Sequence, residues 1–198
     1  MHNAAMSTPV MTTALVVYNL MVFLIMGFSL GVWDFTPAML VRWGGNAEPL
    51  TLGMGQYYRL LTAAFVHVSP THLLFNMLAL YQLGLIVERI VGPRRVLALY
   101  LFTALTGSSM SLWLNPPNVV SVGASTAVLG FEGFFLMHLH QFRHVYPRGI
   151  MVQTLFWVAL AILPTAFNSA MNVDLWGHLG GLLGGMLFAQ FLGRPRRQ

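Results

Sequence analysis

The chain has 198 residues, of which 57% are hydrophobic and 8% are charged, with a formal net charge of +5. A soluble domain carries roughly a quarter of its residues as charges, so this composition excludes an ordinary water-soluble fold and puts the chain in lipid. The absence of cysteine excludes disulfides, thiolate metal sites and a cysteine nucleophile, and the basic residues, all arginine, lie singly or in small groups beside apolar segments, a pattern of membrane topology rather than of nucleic-acid binding.

Stretches of about 20 apolar residues run over 14–33, 70–91, 94–114, 124–142, 148–167 and 173–193. They predict one all-α membrane domain, 14–193, with a short N-terminal tail, 1–13, and a basic C-terminal tail, 194–198. The first span has no basic region before it and no small-residue cleavage site after it, so it reads as a retained helix. The loop over 34–59, with Trp43, Gly44 and Gly45, is too apolar for a soluble insertion. Before the second span, Ser69-Pro70-Thr71-His72 reads as an N-cap with proline at the first helical position, and His72 and Asn76 then share a face. Gly92-Pro93 ends that helix, and Asn115-Pro116-Pro117 ends the third span. Gly123-Ala124 lets the chain turn into the fourth span with Ser125 at its N-terminus, where free N–H groups and the positive end of the helix dipole suit an oxyanion. The fifth span carries Phe156, Trp157 and Pro164. The sixth carries His178 and four glycines, Gly180, Gly181, Gly184 and Gly185, in two overlapping pairs that let another helix approach closely, the fourth being the useful partner.

The arginines give an orientation. Arg89, Arg94, Arg95, Arg143, Arg148, Arg194, Arg196 and Arg197 fall on one side, which the positive-inside rule makes cytoplasmic, so both termini are expected inside. Spans two, four and six then start from the outer face, and His72, Ser125 and His178 come to similar depth. A serine becomes a nucleophile when a neutral histidine takes its proton. His178 is the candidate base for Ser125, while the Ser125 N–H, His72 and Asn76 can supply donors to a tetrahedral intermediate. Asp174 precedes His178 by one turn and reads as a cap rather than as a third catalytic member. Glu132, two turns below Ser125 on nearly the same face, needs a partner such as Gln82 or a hydrated pocket. His138, His140 and His144 read as interfacial residues rather than metal ligands, and His67 as structural.

Over roughly 56–190 the chain resembles the rhomboid intramembrane serine proteases. Tyr58-Arg59 looks like the family's first-loop pair. Phe65, His67, His72 and Asn76 fit its His-x-x-x-Asn region, and Glu88 and Gly92 its second-helix end. Gly123-Ala124-Ser125 fits its nucleophile motif, and His178 with Gly181 and Gly185 its last-helix motif. The resemblance implies a six-transmembrane-helix rhomboid-like bundle, a Ser125–His178 dyad, transition-state support from His72 and Asn76, and no metal or organic cofactor. It also implies cleavage of other membrane proteins' transmembrane segments near the outer face of the bilayer. A partly embedded first loop, and a lateral gate and cap formed by the fifth span and the loop over 168–176, are further expectations. Small size and short tails point to a prokaryotic inner membrane. Two positions depart from the pattern: Thr126, bulkier than the usual glycine or alanine, and Leu129, where many members carry a tyrosine that stacks on the catalytic histidine. A catalytically inactive rhomboid-like protein that binds membrane helices for quality control is the alternative reading, and a transporter using Glu132 and the histidines a third. Retention of both Ser125 and His178 weighs against the former, and the lack of an inverted repeat against the latter.

Overall fold

The computed structural model describes residues 9–167 and 174–192, with the backbone alone over 163–167. The cap expected over 168–176 falls largely outside these residues, as do the side chain of Pro164 and the C-terminal arginines. Six long helices form the bundle: α1 (Val10–Leu30), α5 (Pro70–Val91), α6 (Pro93–Leu114), α7 (Ser125–Gln141), α8 (Arg148–Phe167) and α9 (Leu175–Phe191). Three short ones, α2 (Pro37–Arg42), α3 (Glu48–Thr51) and α4 (Arg59–Thr62), lie in the first loop. By length and composition α1, α5 and α6 are able to cross a membrane among the described residues. α7 and α9 have 17 residues each, about 25 Å by helix rise.

The helix boundaries follow from local chemistry. The Ser69 hydroxyl accepts the His72 N–H (3.2 Å) and Pro70 opens α5, as the sequence predicts. Gly92, at φ 83°, separates α5 from Pro93 of α6. The first helix departs from expectation: it begins at Val10 instead of residue 14 and ends at Gly31, in the left-handed conformation at φ 69°. Thr12 and Thr13 look like tail residues by polarity alone. Long-range capping makes the difference, because the Glu88 carboxylate of α5 accepts from the Met11 N–H (3.0 Å), the Thr12 N–H (2.7 Å) and the Thr12 hydroxyl (2.6 Å). An acidic group over a helix N-terminus satisfies orphan donors and meets the positive end of the dipole.

α7 is the central helix, with Thr126 through Leu136 and Leu139 all buried. α9 carries a glycine on each of two faces. A Cβ at Gly181 or Gly185 would run into the carbonyls of Thr126 or Gly130 of α7, and one at Gly180 or Gly184 into α6 around Thr106. The expected close approach to the fourth span is thus made by half of the glycines, and the other half dock the helix on α6, where the Thr106 hydroxyl also donates to the Gly180 carbonyl (3.0 Å). α8 is peripheral. It packs through Met151 and Val158 beside Leu129, Leu136 and Leu182, while Val152, Leu155, Phe156, Trp157 and Leu160 remain exposed. Large apolar side chains turned outward in this number belong against hydrocarbon.

The first loop is built around Arg59. Its guanidinium is buried, and donates to the carbonyls of Val41 (2.6 Å) and Gly45 (2.9 Å) and to the Gln56 side chain (2.8 Å). A feature not read from the sequence is a short antiparallel pair, β1 (Asn46–Ala47) with β2 (Val120–Ser121), which ties this loop to the segment entering α7.

Candidate active site

The turn before α7 determines where Ser125 points. Gly123 has φ 112°, a conformation that glycine adopts without a Cβ penalty. Its N–H donates to the Ala63 carbonyl (2.9 Å), and the next N–H, of Ala124, donates to Nε2 of the fully buried His67 (3.3 Å). His67 therefore acts as a neutral acceptor, with its remaining proton on Nδ1. Burial, reinforced by His72 nearby, pushes its pKa down to about 3 from an ordinary 6.5, which keeps it in that state. Sequence reading assigned His67 a structural part, and this contact specifies it: the ring holds the turn that carries the serine.

Ser125 is then the first residue of α7, where N–H groups have no intrahelical acceptor. Its Oγ lies 2.8 Å from Nε2 of His178 on α9. Across the Gly123 turn stand His72 and Asn76: a Cβ on Gly123 would meet His72 Cε1 at 2.7 Å, His72 Nε2 at 3.0 Å and Asn76 Nδ2 at 3.7 Å. His72 Nδ1 accepts a long hydrogen bond from the Val68 N–H (3.4 Å), which leaves the proton on Nε2, the nitrogen facing the turn. Asn76 spends one amide N–H on the His72 carbonyl (3.0 Å) and keeps a second. The structure thus brings together all four residues singled out from the sequence: Ser125, His178, His72 and Asn76.

Asp174 accepts from the Gly177 N–H (2.8 Å) and the Asn115 amide (2.6 Å), both on Oδ1, so it caps α9. His178 Nδ1 has no hydrogen-bond partner among the described residues. The bulk of Thr126 is absorbed across the helix interface, where its Cβ fills the space left by Gly107 of α6. Leu129 packs in the cluster with Leu136, Val158 and Leu182. His138 is occupied by the Tyr146 hydroxyl (3.1 Å) and a stack on Phe134, and among the described residues no three His, Asp or Glu side chains cluster as metal ligands.

A cavity of about 1010 Å³ opens beside Ser125, walled by α5, α7 and α8. Ser125, His178, His72 and Asn76 line one end, and Gln82 and Glu132 also line it. The anticipated bond between Glu132 and Gln82 does not form. Glu132 lines the cavity, but its Oε2 is buried without a partner among the described residues.

Comparison with known proteins agrees with this architecture. The Rhomboid domain matches residues 54–195. The chain is 37% identical over 158 residues to the Rhomboid protease GluP of Bacillus subtilis (strain 168), covering 79% of this chain and 30% of that protein. It is 30% identical over 152 residues to the Putative rhomboid protease YdcA of the same organism, covering 76% and 75%. Rhomboid-like protease 1 of Toxoplasma gondii is 33% identical over 151 residues, covering 74% and 50%. The chain spans under a third of the length of the first of these relatives and half of the last. With the domain match covering most of the helical core and the YdcA similarity running along most of both chains, this membrane protein belongs to the rhomboid family.

Proposed function

We propose that the protein is an intramembrane serine endopeptidase. His178 Nε2 takes the proton of the Ser125 hydroxyl as Oγ attacks the carbonyl carbon of a peptide bond. The resulting oxyanion is met by the Ser125 N–H, His72 Nε2–H and the free N–H of Asn76. His178 returns the proton to the leaving amine, and the C–N bond breaks to give an acyl-enzyme. A water deprotonated by His178 then attacks the ester, releasing the carboxylate and restoring the serine. The pair is a dyad in this reading, since Asp174 caps α9 through Oδ1 and makes no hydrogen bond to His178. The observation that carries this reading is the 2.8 Å contact between Ser125 and His178, directly beside His72 and Asn76.

The substrates are transmembrane segments of other membrane proteins that enter from the bilayer. Their peptide bonds are protected by helical hydrogen bonds, so segments that unwind readily at the cut are favoured. The chain lies in a prokaryotic cell membrane as six spans with both termini cytoplasmic and the dyad toward the outer face.

The test is labelling of the purified protein with a fluorophosphonate, alongside cleavage of a reporter carrying a transmembrane helix. Labelling and cleavage that both vanish in Ser125→Ala and His178→Ala are expected. A wild type that neither labels nor cuts, yet retains reporter helices on co-purification, overturns the protease in favour of an inactive helix-binding relative.

A further inference from the structure

Resting on the protease reading above, we propose that Tyr100 and Asn19 are positioning residues for the reaction: the Tyr100 hydroxyl, steadied by the Asn19 amide, anchors the short 3₁₀ turn that grips the loop carrying Ser125. That turn, Ala63–Phe65, follows α4 directly. Its carbonyls link two partners. The Ala63 carbonyl accepts the Gly123 N–H (2.9 Å), and the Ala64 carbonyl accepts the Tyr100 hydroxyl of α6 (2.8 Å). His67, two residues beyond the turn, accepts the Ala124 N–H (3.3 Å). The main chain leading into Ser125 is therefore held by residues 63–67, and Tyr100 holds those through their own main chain. The Tyr100 ring also lies against Phe65 (centroids 5.3 Å apart) and edge-on to Phe131 of α7 (6.4 Å). Phenylalanine would keep both ring contacts, so the hydroxyl is what ties the turn down.

Asn19 reaches the same hydroxyl from α1. It is fully buried and donates to the Leu15 carbonyl (2.8 Å) and to Tyr100 Oη (3.3 Å), while its Oδ1 has no partner among the described residues. A buried amide with its acceptor unmet lowers stability, so packing alone does not account for an asparagine here. What it supplies is direction. By donating to the Tyr100 oxygen, Asn19 leaves the single hydroxyl proton free to point at Ala64. The first helix lies ahead of the matched rhomboid domain, which begins at residue 54, yet by this relay it bears on the serine. Neither side chain lines the cavity beside Ser125. Their effect therefore falls on the orientation of the nucleophile and not on substrate binding.

The test measures reporter cleavage, the rate of fluorophosphonate labelling of Ser125 and melting temperature in Tyr100→Phe, Asn19→Leu and the double variant, at a temperature where all are folded. In Tyr100→Phe both kcat and the labelling rate are expected to fall about fivefold, the worth of one neutral hydrogen bond, with KM unchanged. In the near-isosteric Asn19→Leu they fall about threefold while the melting temperature holds or rises, because an unmet polar group is removed. A residue that merely held the fold together would lower stability and activity in step. Since Asn19 acts through the hydroxyl, the double variant is expected to be no slower than Tyr100→Phe alone. The proposal is overturned if Tyr100→Phe turns over and labels like the wild type, if its loss lies in KM, or if the two single losses multiply in the double variant. Should the leucine variant fail to fold, Tyr100→Phe alone decides. A wild type that takes no fluorophosphonate label removes the protease reading itself, a distinct result.

Discussion

Single residues at this site do several jobs at once. Gly123 is held at positive φ directly under the His72 ring. Gly123→Ala adds about 1–2 kcal/mol of backbone strain and also displaces His72, so a loss of cleavage larger than the loss of stability is expected when both are measured. Asp174 gives the opposite case. Asn in its place can still accept the Gly177 N–H, so Asp174→Asn is expected to keep activity within about tenfold, whereas an acid acting as third member of a triad loses roughly 10⁴; reporter cleavage rates decide between the two. His67 predicts a pH dependence. Its pKa in the folded chain is about 3 against 6.5 in the unfolded one, so below pH 6.5 the unfolded state binds the extra proton. Stability is then retained above pH 6.5 and falls on acidification toward pH 3, by at most about 1.4 kcal/mol per pH unit from this group. Melting temperatures across that range should fall less steeply in His67→Gln. The meeting of Ser125 with His178 was legible from residue type and helix depth, and so was the capping part of Asp174. The contact of His67 with Ala124 was not, because a hydrogen bond spanning 57 positions leaves no local pattern in the sequence.

At the scale of elements, the contacts of α9 separate its glycines by consequence. Gly181 and Gly185 face backbone carbonyls of α7, which cannot move aside, whereas Gly184 faces the Thr106 side chain, which can rotate. Gly181→Ala and Gly185→Ala are therefore expected to cost roughly 1–3 kcal/mol of stability and most of the activity, and Gly184→Ala distinctly less; thermal unfolding with a parallel cleavage assay reads both. The helices themselves were legible within a few residues from hydropathy and capping signals, with α5 over Pro70–Val91 as predicted. The start of α1 was misplaced because its cap, Glu88, belongs to a helix some seventy residues away. The β1–β2 pair escaped notice since two-residue strands are fixed by partners rather than by any periodicity of their own.

For the molecule as a whole, the arginine distribution predicts sidedness. The natural absence of cysteine makes this testable with single introduced thiols. Asn118→Cys, in the exposed loop after α6, is expected to react with an impermeant maleimide on intact cells, and His144→Cys, in the exposed turn after α7, to react after permeabilisation. The reverse pattern would invert the proposed orientation. What the sequence could not supply at this scale is the cavity, which exists because α8 stands off from α5 while α7 and α9 close up. That intimacy has a mechanical result. Because Gly181 and Gly185 seat α9 directly on the peptide carbonyls of α7, the spacing between Ser125 and His178 is set by rigid main chain rather than by interlocking rotamers. Like a dovetail joint, it stays true while the outer surfaces shift. Changes of bilayer thickness should therefore alter how fast substrates arrive and leave much more than how fast the acyl bond forms once they are in place.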